Sequence, residues 1–188
     1  HDPLSVVALY RKHFSHILCV SRFDYHFLSS SLGLEDRVSR IVNSVDNSLF
    51  YMPSRKKRQV CFMTRKNKTD ARIVSSLLSS QEWFQGWQAV PIQDVPLSRV
   101  AEIMRESLLY LSFGHPEGFG LPLAESSASG CAIVGYSGNG GREIFDDFHD
   151  SSSGMIVNMN DWSGFLNFTK TFVQEFQSDP TSFANKLY

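Results

Sequence analysis

A strand pattern that runs into a glycine loop and a helix start constrains this chain most. Ser107 to Phe113 is mostly apolar, with Leu and Tyr at four consecutive positions, which is typical of a strand buried on both faces of a parallel sheet. Glu117 to Glu125 follows and reads EGFGLPLAE, in which Pro122 suits the first turn of a helix. The sequence therefore predicts a strand, a loop and a helix, with two carboxylates eight positions apart.

The glycines of this loop favour a ligand site. Gly118 and Gly120 can adopt positive φ and let the backbone pass close to a ligand. Open α/β sheets bind ligands at the carboxyl ends of their strands, beside helix N-termini whose dipoles and unpaired N–H groups favour anions. We expect Glu117 to lie in the loop and Glu125 to lie about one turn into the helix.

Strand and helix patterns alternate through the second part of the chain. Gln59 to Met63, Trp87 to Ile92 and Cys131 to Gly135 are apolar runs of strand length, and amphipathic helical patterns separate them. Trp162 to Phe176 predicts a final amphipathic helix. This alternation favours an α/β fold with a Rossmann-like parallel sheet flanked by helices.

The first part of the chain has a different pattern. His16 to Val20 is a short apolar run, and Ile41-Val42 predicts a last strand that enters a linker rich in Asn, Ser and Asp at residues 43–47. A chain of 188 residues has room for a substantial core, because a folded domain of this size buries roughly 70% of its unfolded surface.

Charge, cysteine content and hydropathy exclude several classes of protein. The formal net charge is −1, which gives no overall attraction to nucleic acid or to anionic lipid. Cys19, Cys61 and Cys131 are odd in number and lie in apolar runs, so we expect buried free thiols and a reducing compartment. No apolar run approaches the roughly 20 residues of a membrane span, and the N-terminus lacks a signal-peptide pattern. The sequence predicts a cytoplasmic protein and leaves peripheral membrane contact open.

Glu117 to Glu125, together with Gly140 to Ile144 (GGREI), resembles the donor-binding signature of group 1, family-4-like retaining glycosyltransferases of the GT-B fold. In that family two glutamates separated by seven residues define the nucleotide-sugar site, and GFGLP recurs between them. The resemblance extends upstream to Ile17 to Ser21 and to Asn43 to Asp46, which are similar to the end of the family's first domain and to the linker that follows it.

The resemblance implies a domain organisation. A GT-B enzyme has two Rossmann-like domains across a cleft, of which the first mostly binds the acceptor and the second mostly binds the donor. Residues 1–50 are then a remnant of the N-terminal domain with the interdomain linker, and residues 51–188 are the donor-binding domain. Because the chain begins with His1 rather than Met, we expect an excerpt of a longer protein, although a natural half-enzyme with a partner chain is the alternative.

The donor diphosphate requires positive charge and backbone amides. Arg65, Lys66 and Lys68 follow a predicted strand on the donor side and are the candidates for the diphosphate, with a solvated basic loop as the alternative. The family usually has a Gly-Arg pair followed several residues later by Lys, whereas here Thr64 replaces the glycine and the lysines lie closer. Which basic residue contacts the diphosphate therefore stays open.

The resemblance gives the two glutamates different roles. Glu125 accepts hydrogen bonds from the ribose hydroxyls, and a helix-dipole role is its alternative. Glu117 faces the transferred sugar as the candidate catalytic residue, although a loop glutamate is often only solvated. The remaining donor-binding candidates are backbone and loop positions: Gly118, Phe119, Gly120, Leu121, Gly140 and Gly141. Phe119 is also interpreted as a packing residue, and a tight turn explains the last two glycines equally well.

The predicted activity is sugar transfer from a nucleotide-diphosphate sugar to a saccharide or lipid-linked acceptor, in glycan or polysaccharide synthesis. The acceptor needs the missing N-terminal domain, so we expect this hexosyltransferase-like chain alone to be weakly active or inactive. No His, Asp and Glu cluster has metal-ligand spacing, which favours a metal-independent enzyme without a cofactor. A noncatalytic nucleotide-sugar-binding module and a nucleotide-sugar epimerase of related fold are the alternatives. A dehydrogenase is disfavoured because Gly138 to Glu143 lacks the final small residue of the dinucleotide fingerprint.

Overall fold

Two parallel sheets of unequal size organise the chain, a two-stranded sheet in its first part and a five-stranded sheet in its second. A computed structural model describes residues 3–147 and 154–180. Residues 1–2, 148–153 and 181–188 lie outside the described residues. The predicted segments 1–50 and 51–188 are therefore described only in part.

The first part builds its small sheet from strands of three residues. Its elements are helix α1 (Pro3–His13), strand β1 (Ile17–Cys19), helix α2 (Arg22–His26), a π-helical turn (Phe27–Ser31) and strand β2 (Val38–Arg40). Strand β2 begins three residues before the strand that the sequence predicted at Ile41-Val42, and Val42 is 80% exposed. Within β2 only Val38 is buried, so its charged and polar neighbours concealed the strand.

The second part alternates strands and helices as the sequence predicted. Its elements are β3 (Lys57–Met63), α3 (Lys68–Ser79), a 3₁₀ turn (Glu82–Phe84), β4 (Gln88–Ile92), α4 (Leu97–Glu106), β5 (Ser107–Ser112), α5 (Leu121–Ala128), β6 (Ala132–Gly135), α6 (Arg142–Asp146), β7 (Gly154–Ile156) and α7 (Trp162–Ser178). All neighbouring strands pair in parallel, in the order β4-β3-β5-β6-β7. The predicted Rossmann-like α/β fold class is confirmed.

Helices cover both faces of the five-stranded sheet. Leu109 and Leu111 of β5 pack into a core cluster with residues of α3 and α7, whereas Tyr110 packs into a second cluster with residues of α4 and α5. All six residues of β5 are buried, because successive side chains of a strand point to opposite faces of the sheet. Cys61 and Cys131 belong to the second cluster, and all three cysteines are buried and free, as predicted.

A buried hydrogen-bond network joins α3 to α7. The Tyr136 hydroxyl donates to Asp70 Oδ2 at 2.8 Å, and Trp162 Nε1 donates to Asp70 Oδ1 at 3.1 Å. The backbone N–H of Asn160 donates to the same Tyr136 hydroxyl at 3.2 Å. Burial, followed by the bond to Asp70, raises the pKa of Tyr136 to about 12. The Asp70 carboxylate and the Tyr136 hydroxyl therefore both have hydrogen-bond partners inside the protein.

No helix among the residues that the structure describes is long and apolar enough to cross a membrane.

Candidate functional site

The strand order places a crevice between β3 and β5. The chain leaves β3 for β4 on one side and returns to β5 on the other side, so the two following loops separate at the carboxyl ends of β3 and β5. A parallel sheet binds ligands at such a reversal of strand order. A small cavity lies there, and its walls are Met63, Arg65, Lys66, Tyr110, Ser112, Gly114, Glu117, Gly120, Pro122 and Leu123.

The predicted loop residues meet the predicted basic residues in this cavity. Lys66 Nζ lies 3.0 Å from Glu117 Oε1, and Arg65 Nη2 lies 3.7 Å from the same oxygen. Lys66 also donates a hydrogen bond to the carbonyl of Pro116. The structure thus brings together the candidate catalytic glutamate and two of the three candidate diphosphate ligands.

Lys68 lies away from Glu117. It is the first residue of α3, it is exposed, and it lines a neighbouring, wider cleft at the ends of β3 and β4. That cleft shares Met63 and Arg65 with the first cavity. Arg65 therefore lines both the cavity and the cleft, whereas Lys66 lines the cavity and Lys68 lines the cleft.

Of the four residues Gly118 to Leu121 at the start of α5, Gly120 lines the cavity. Within the described part of the chain, the N–H groups of Gly118, Phe119, Gly120 and Leu121 form no hydrogen bond. Gly120 is the residue before the helix and has φ +87°, a conformation that glycine adopts at little cost. Unpaired amides at a helix N-terminus favour an anion.

Glu125 lies where the sequence predicted, one turn into α5. Its side chain is half-buried, and among residues 3–147 and 154–180 its carboxylate has no hydrogen bond or ion pair. Burial raises the pKa of Glu125. Folding has thus taken a carboxylate partly out of water without giving it a partner, which costs free energy until a ligand supplies one.

The Gly140-Gly141 turn is packed against the glutamate loop. Glu117 N donates to Gly138 O at 2.7 Å and Gly140 N donates to Glu117 O at 3.2 Å. A Cβ atom on Gly140 would lie 1.6 Å from Gly118 O, and one on Gly141 would lie 2.4 Å from Leu123 Cδ1. Close packing alone therefore requires both glycines, and their predicted contact with a donor stays a prediction.

Sequence reasoning did not identify Asn67 as part of the site. Its side-chain Nδ2 donates to Phe113 O at 2.8 Å and to His115 O at 3.0 Å, so it joins the loop after β3 to the loop after β5. Asn67 has φ +48°, a region in which Asn is enriched. An Asn just before a helix was the only available signal, and it does not name its distant partners.

Glu143 also escaped the sequence analysis as a site residue. Its carboxylate is nearly buried, accepts from Arg22 N at 3.1 Å and from Arg40 Nη2 at 3.1 Å, and so joins α6 to the first part of the chain. On the same side, Gly118 faces Asp24 and Val20. The first part of the chain therefore packs against both glycine loops and stabilises them.

No group of three or more His, Cys, Asp or Glu residues that could hold a metal ion is present in the described ranges.

Gly140→Ala should destabilise the protein strongly. The new methyl group would overlap a backbone carbonyl that belongs to the glutamate loop, so we expect a loss of about 3 kcal/mol or more in the free energy of unfolding. Gly118→Ala is the matched control, because its Cβ would lie 3.4 Å from Asp24 Oδ2 in ordinary contact. Urea unfolding of both variants tests this, and equal stabilities would contradict the proposed close packing.

Glu125→Gln should stabilise the ligand-free protein at neutral pH. Because the pKa of Glu125 is raised in the folded state, its contribution to stability is complete below its ordinary pKa and is lost as pH rises through the raised pKa. We therefore expect the variant to have a higher Tm than the wild type at pH 7 and no such advantage at pH 4. Glu35→Gln, at an exposed position, should show little difference at either pH. A lower Tm of Glu125→Gln at pH 7 would show that the carboxylate has a partner.

The chain is similar to known glycosyltransferases in part of its sequence and in its fold. No protein-family model matches the chain. An alpha-1,6-glucosyltransferase of Actinobacillus pleuropneumoniae serotype 7 (strain AP76) is 31% identical over 105 residues, which are 52% of this chain and 32% of that protein. The chain thus spans about a third of the length of this curated relative.

Solved structures of glycosyltransferases share the fold. A mutant of S. aureus TarM, in complex with fondaparinux, alpha-GlcNAc-glycerol and UDP, superposes with a TM-score of 0.72 at 12% identity, over 97% of this chain and 41% of TarM. The C-terminal domain of a group 1 glycosyltransferase (LpcC) from Francisella tularensis gives a TM-score of 0.55 at 16% identity, over 77% of this chain and 92% of that domain. These similarities confirm the predicted resemblance, since the chain shares its fold with the C-terminal half of GT-B glycosyltransferases.

Proposed function

We propose that this chain is the donor-binding part of a retaining glycosyltransferase and holds a nucleotide-diphosphate sugar in the crevice between β3 and β5. The observation that carries the proposal is the row of N–H groups from Gly118 to Leu121, which are unpaired within the described residues. Their loop shares the cavity with Arg65 and Lys66 through Glu117 and Gly120. A diphosphate is the ligand that satisfies both the amides and the cations.

The charge distribution supports separate roles for the two glutamates. Glu125 is a half-buried carboxylate without a partner, which suits it to accept hydrogen bonds from the ribose hydroxyls. Glu117 is already held by Lys66 and Arg65. A bound diphosphate competes for these two cations, which frees Glu117 to face the hydroxyls of the transferred sugar.

The proposed chemistry is transfer of the sugar without a protein nucleophile. The bond between the anomeric carbon and the distal phosphate oxygen breaks, and negative charge develops on the departing diphosphate. Preorganised N–H groups and cations aimed at that oxygen stabilise the transition state in a site that excludes water. Arg65, Lys66 and the loop amides supply this charge in the proposal, so the reaction is proposed to be metal-independent and to use no cofactor. Gly140 and Gly141 hold the loop in place.

We propose UDP as the nucleotide and a hexose such as glucose as the sugar. Support comes from the UDP bound to TarM and from the name of the glucosyltransferase relative. The nucleobase is assigned to the larger cleft beyond Arg65, lined by Ile92, Gln93, Asp94 and Val95, because that cleft opens directly from the diphosphate site. Lys68 lies in this cleft, so in the proposal it faces the nucleoside rather than the diphosphate.

We propose that residues 1–50 belong to an N-terminal acceptor-binding domain and its linker, and residues 51–188 to the donor domain. An isolated two-stranded sheet is at best marginally stable, yet Leu18 of β1 is 61% exposed, and Ile41, directly after β2, is 44% exposed. Such an apolar surface suits burial under further strands. The acceptor is then a saccharide or a lipid-linked saccharide, and the 188-residue chain alone transfers sugar weakly or not at all.

The proposed setting is glycan or polysaccharide synthesis in the cytoplasm. Three buried free cysteines support a reducing compartment, and peripheral contact with a membrane is compatible with the proposal. A noncatalytic binding module would bind UDP equally well and would show no transfer when joined to its acceptor domain. An epimerase would instead release an altered nucleotide sugar without any acceptor.

Calorimetric titration with UDP tests the proposal on the 188-residue chain. Arg65→Ala and Lys66→Ala should each weaken binding by about 10- to 100-fold, because each removes a charge-assisted contact with the diphosphate. Arg72→Ala is the matched control, since Arg72 is an exposed cation of α3 that lines neither the cavity nor the adjoining cleft.

Two results would contradict the proposal. If the wild-type chain binds none of UDP, GDP and ADP, it has no nucleotide site and the proposal is wrong. A loss of affinity in Arg72→Ala equal to that in Arg65→Ala would show that general positive charge, rather than the crevice, attracts the nucleotide.

A further inference from the structure

Tyr110 forms part of the cavity from a position inside the sheet. It lies in the middle of β5, only 3% of its surface is exposed, and its side chain packs in the core cluster that also contains Met104 and Leu123. It nevertheless lines the cavity, together with Gly120 and Pro122 at the start of α5. A buried aromatic ring therefore forms the inner end of the crevice.

The Tyr110 hydroxyl has no hydrogen-bond partner among the residues that the structure describes. It contrasts with Tyr136, whose buried hydroxyl both donates to Asp70 and accepts from Asn160. Trp87 Nε1 is fully enclosed and lacks a partner within residues 3–147 and 154–180, whereas the Tyr110 hydroxyl keeps some accessible surface, so a water or a ligand can reach it. The cavity beside Tyr110 is the place from which such a partner can arrive.

The surroundings keep this hydroxyl protonated. Burial, and then the electrostatic effects of Cys61, Glu125 and Glu117, raise the pKa of Tyr110 far above its ordinary value. A protonated phenol beside carboxylates acts as a hydrogen-bond donor, and it needs an acceptor oxygen that neither glutamate provides in this structure. The oxygens of a ribosyl diphosphate have this chemistry.

We propose that Tyr110 is a further donor-binding residue, whose hydroxyl donates a hydrogen bond to an oxygen of the nucleoside diphosphate at the inner end of the crevice. This inference rests on the proposed function and extends it to a residue in the strand rather than in the loops. Glu125 and Tyr110 then act as an acceptor and a donor on the same ligand, from α5 and from β5.

Tyr110→Phe tests the proposal because it removes the hydroxyl and keeps the ring. We expect UDP to bind about 3- to 10-fold more weakly to the variant in calorimetry, because the variant loses one hydrogen bond to the ligand. We also expect the Tm of the ligand-free variant to be unchanged or higher, because no bond inside the protein is lost. If the hydroxyl had a purely structural role, its removal in Tyr110→Phe would lower the Tm.

Tyr136→Phe is the matched control. It removes a hydroxyl that the protein itself satisfies, so it should lower the Tm and leave the affinity for UDP unchanged. A double variant with Glu125→Gln then locates the bond: coupled losses of affinity place it at the ribose, and additive losses place it at the diphosphate.

The outcomes separate this inference from the function on which it rests. If the wild type binds UDP and Tyr110→Phe binds it equally well, the role of Tyr110 is wrong and the donor site stands. If the wild type binds no nucleotide, both are wrong. Weaker binding with an unchanged or higher Tm supports both, whereas weaker binding with a lower Tm contradicts the role of Tyr110 as a donor-binding residue.

Discussion

Parallel pairing of β3 with β5, with β4 placed on the far side of β3, is the constraint on which the rest of the structure depends. It separates the loops that follow β3 and β5 and so opens the crevice between them. The first loop brings Arg65 and Lys66 to one wall, and the second brings Glu117 and the start of α5 to the other. The ion pairs of Glu117 with the two cations then span the crevice in the ligand-free protein.

The site combines groups that are satisfied with groups that are not. The glutamate loop is hydrogen-bonded to the Gly138 to Gly141 turn, and that turn is joined through Glu143 to the first part of the chain. Within this rigid frame the loop amides, the Glu125 carboxylate and the Tyr110 hydroxyl lack partners among the described residues. Protein stability is reduced where a binding site keeps polar groups ready for a ligand, which is the usual exchange of stability for function.

Local sequence patterns predicted those features of the fold that depend on neighbouring residues. The apolar run of β5, the glycine before α5 and the proline in its first turn determine local structure directly, so the position of Glu125 on α5 followed from the sequence. The predicted sheet strands at Gln59 to Met63 and Trp87 to Ile92 also agree with β3 and β4.

Features that depend on distant contacts were not predictable in the same way. Strand β2 has one buried residue, and β7 is only three residues long, so neither produces a clear periodicity. Asn67 reaches loop carbonyls 46 and 48 positions away, and Tyr110 reads as one more apolar residue of a buried strand. Only the packed sheet shows that its hydroxyl lies beside a cavity without a partner.

The central claim is that the amides before α5 bind the diphosphate of a nucleotide. Titration of the ¹⁵N-labelled chain with UDP, followed by amide chemical shifts in NMR, measures this at each residue. The account predicts that the largest changes fall on the amides of Gly118 to Leu121. Changes confined to the exposed groove along α3, near Arg72 and Ser76, would contradict it.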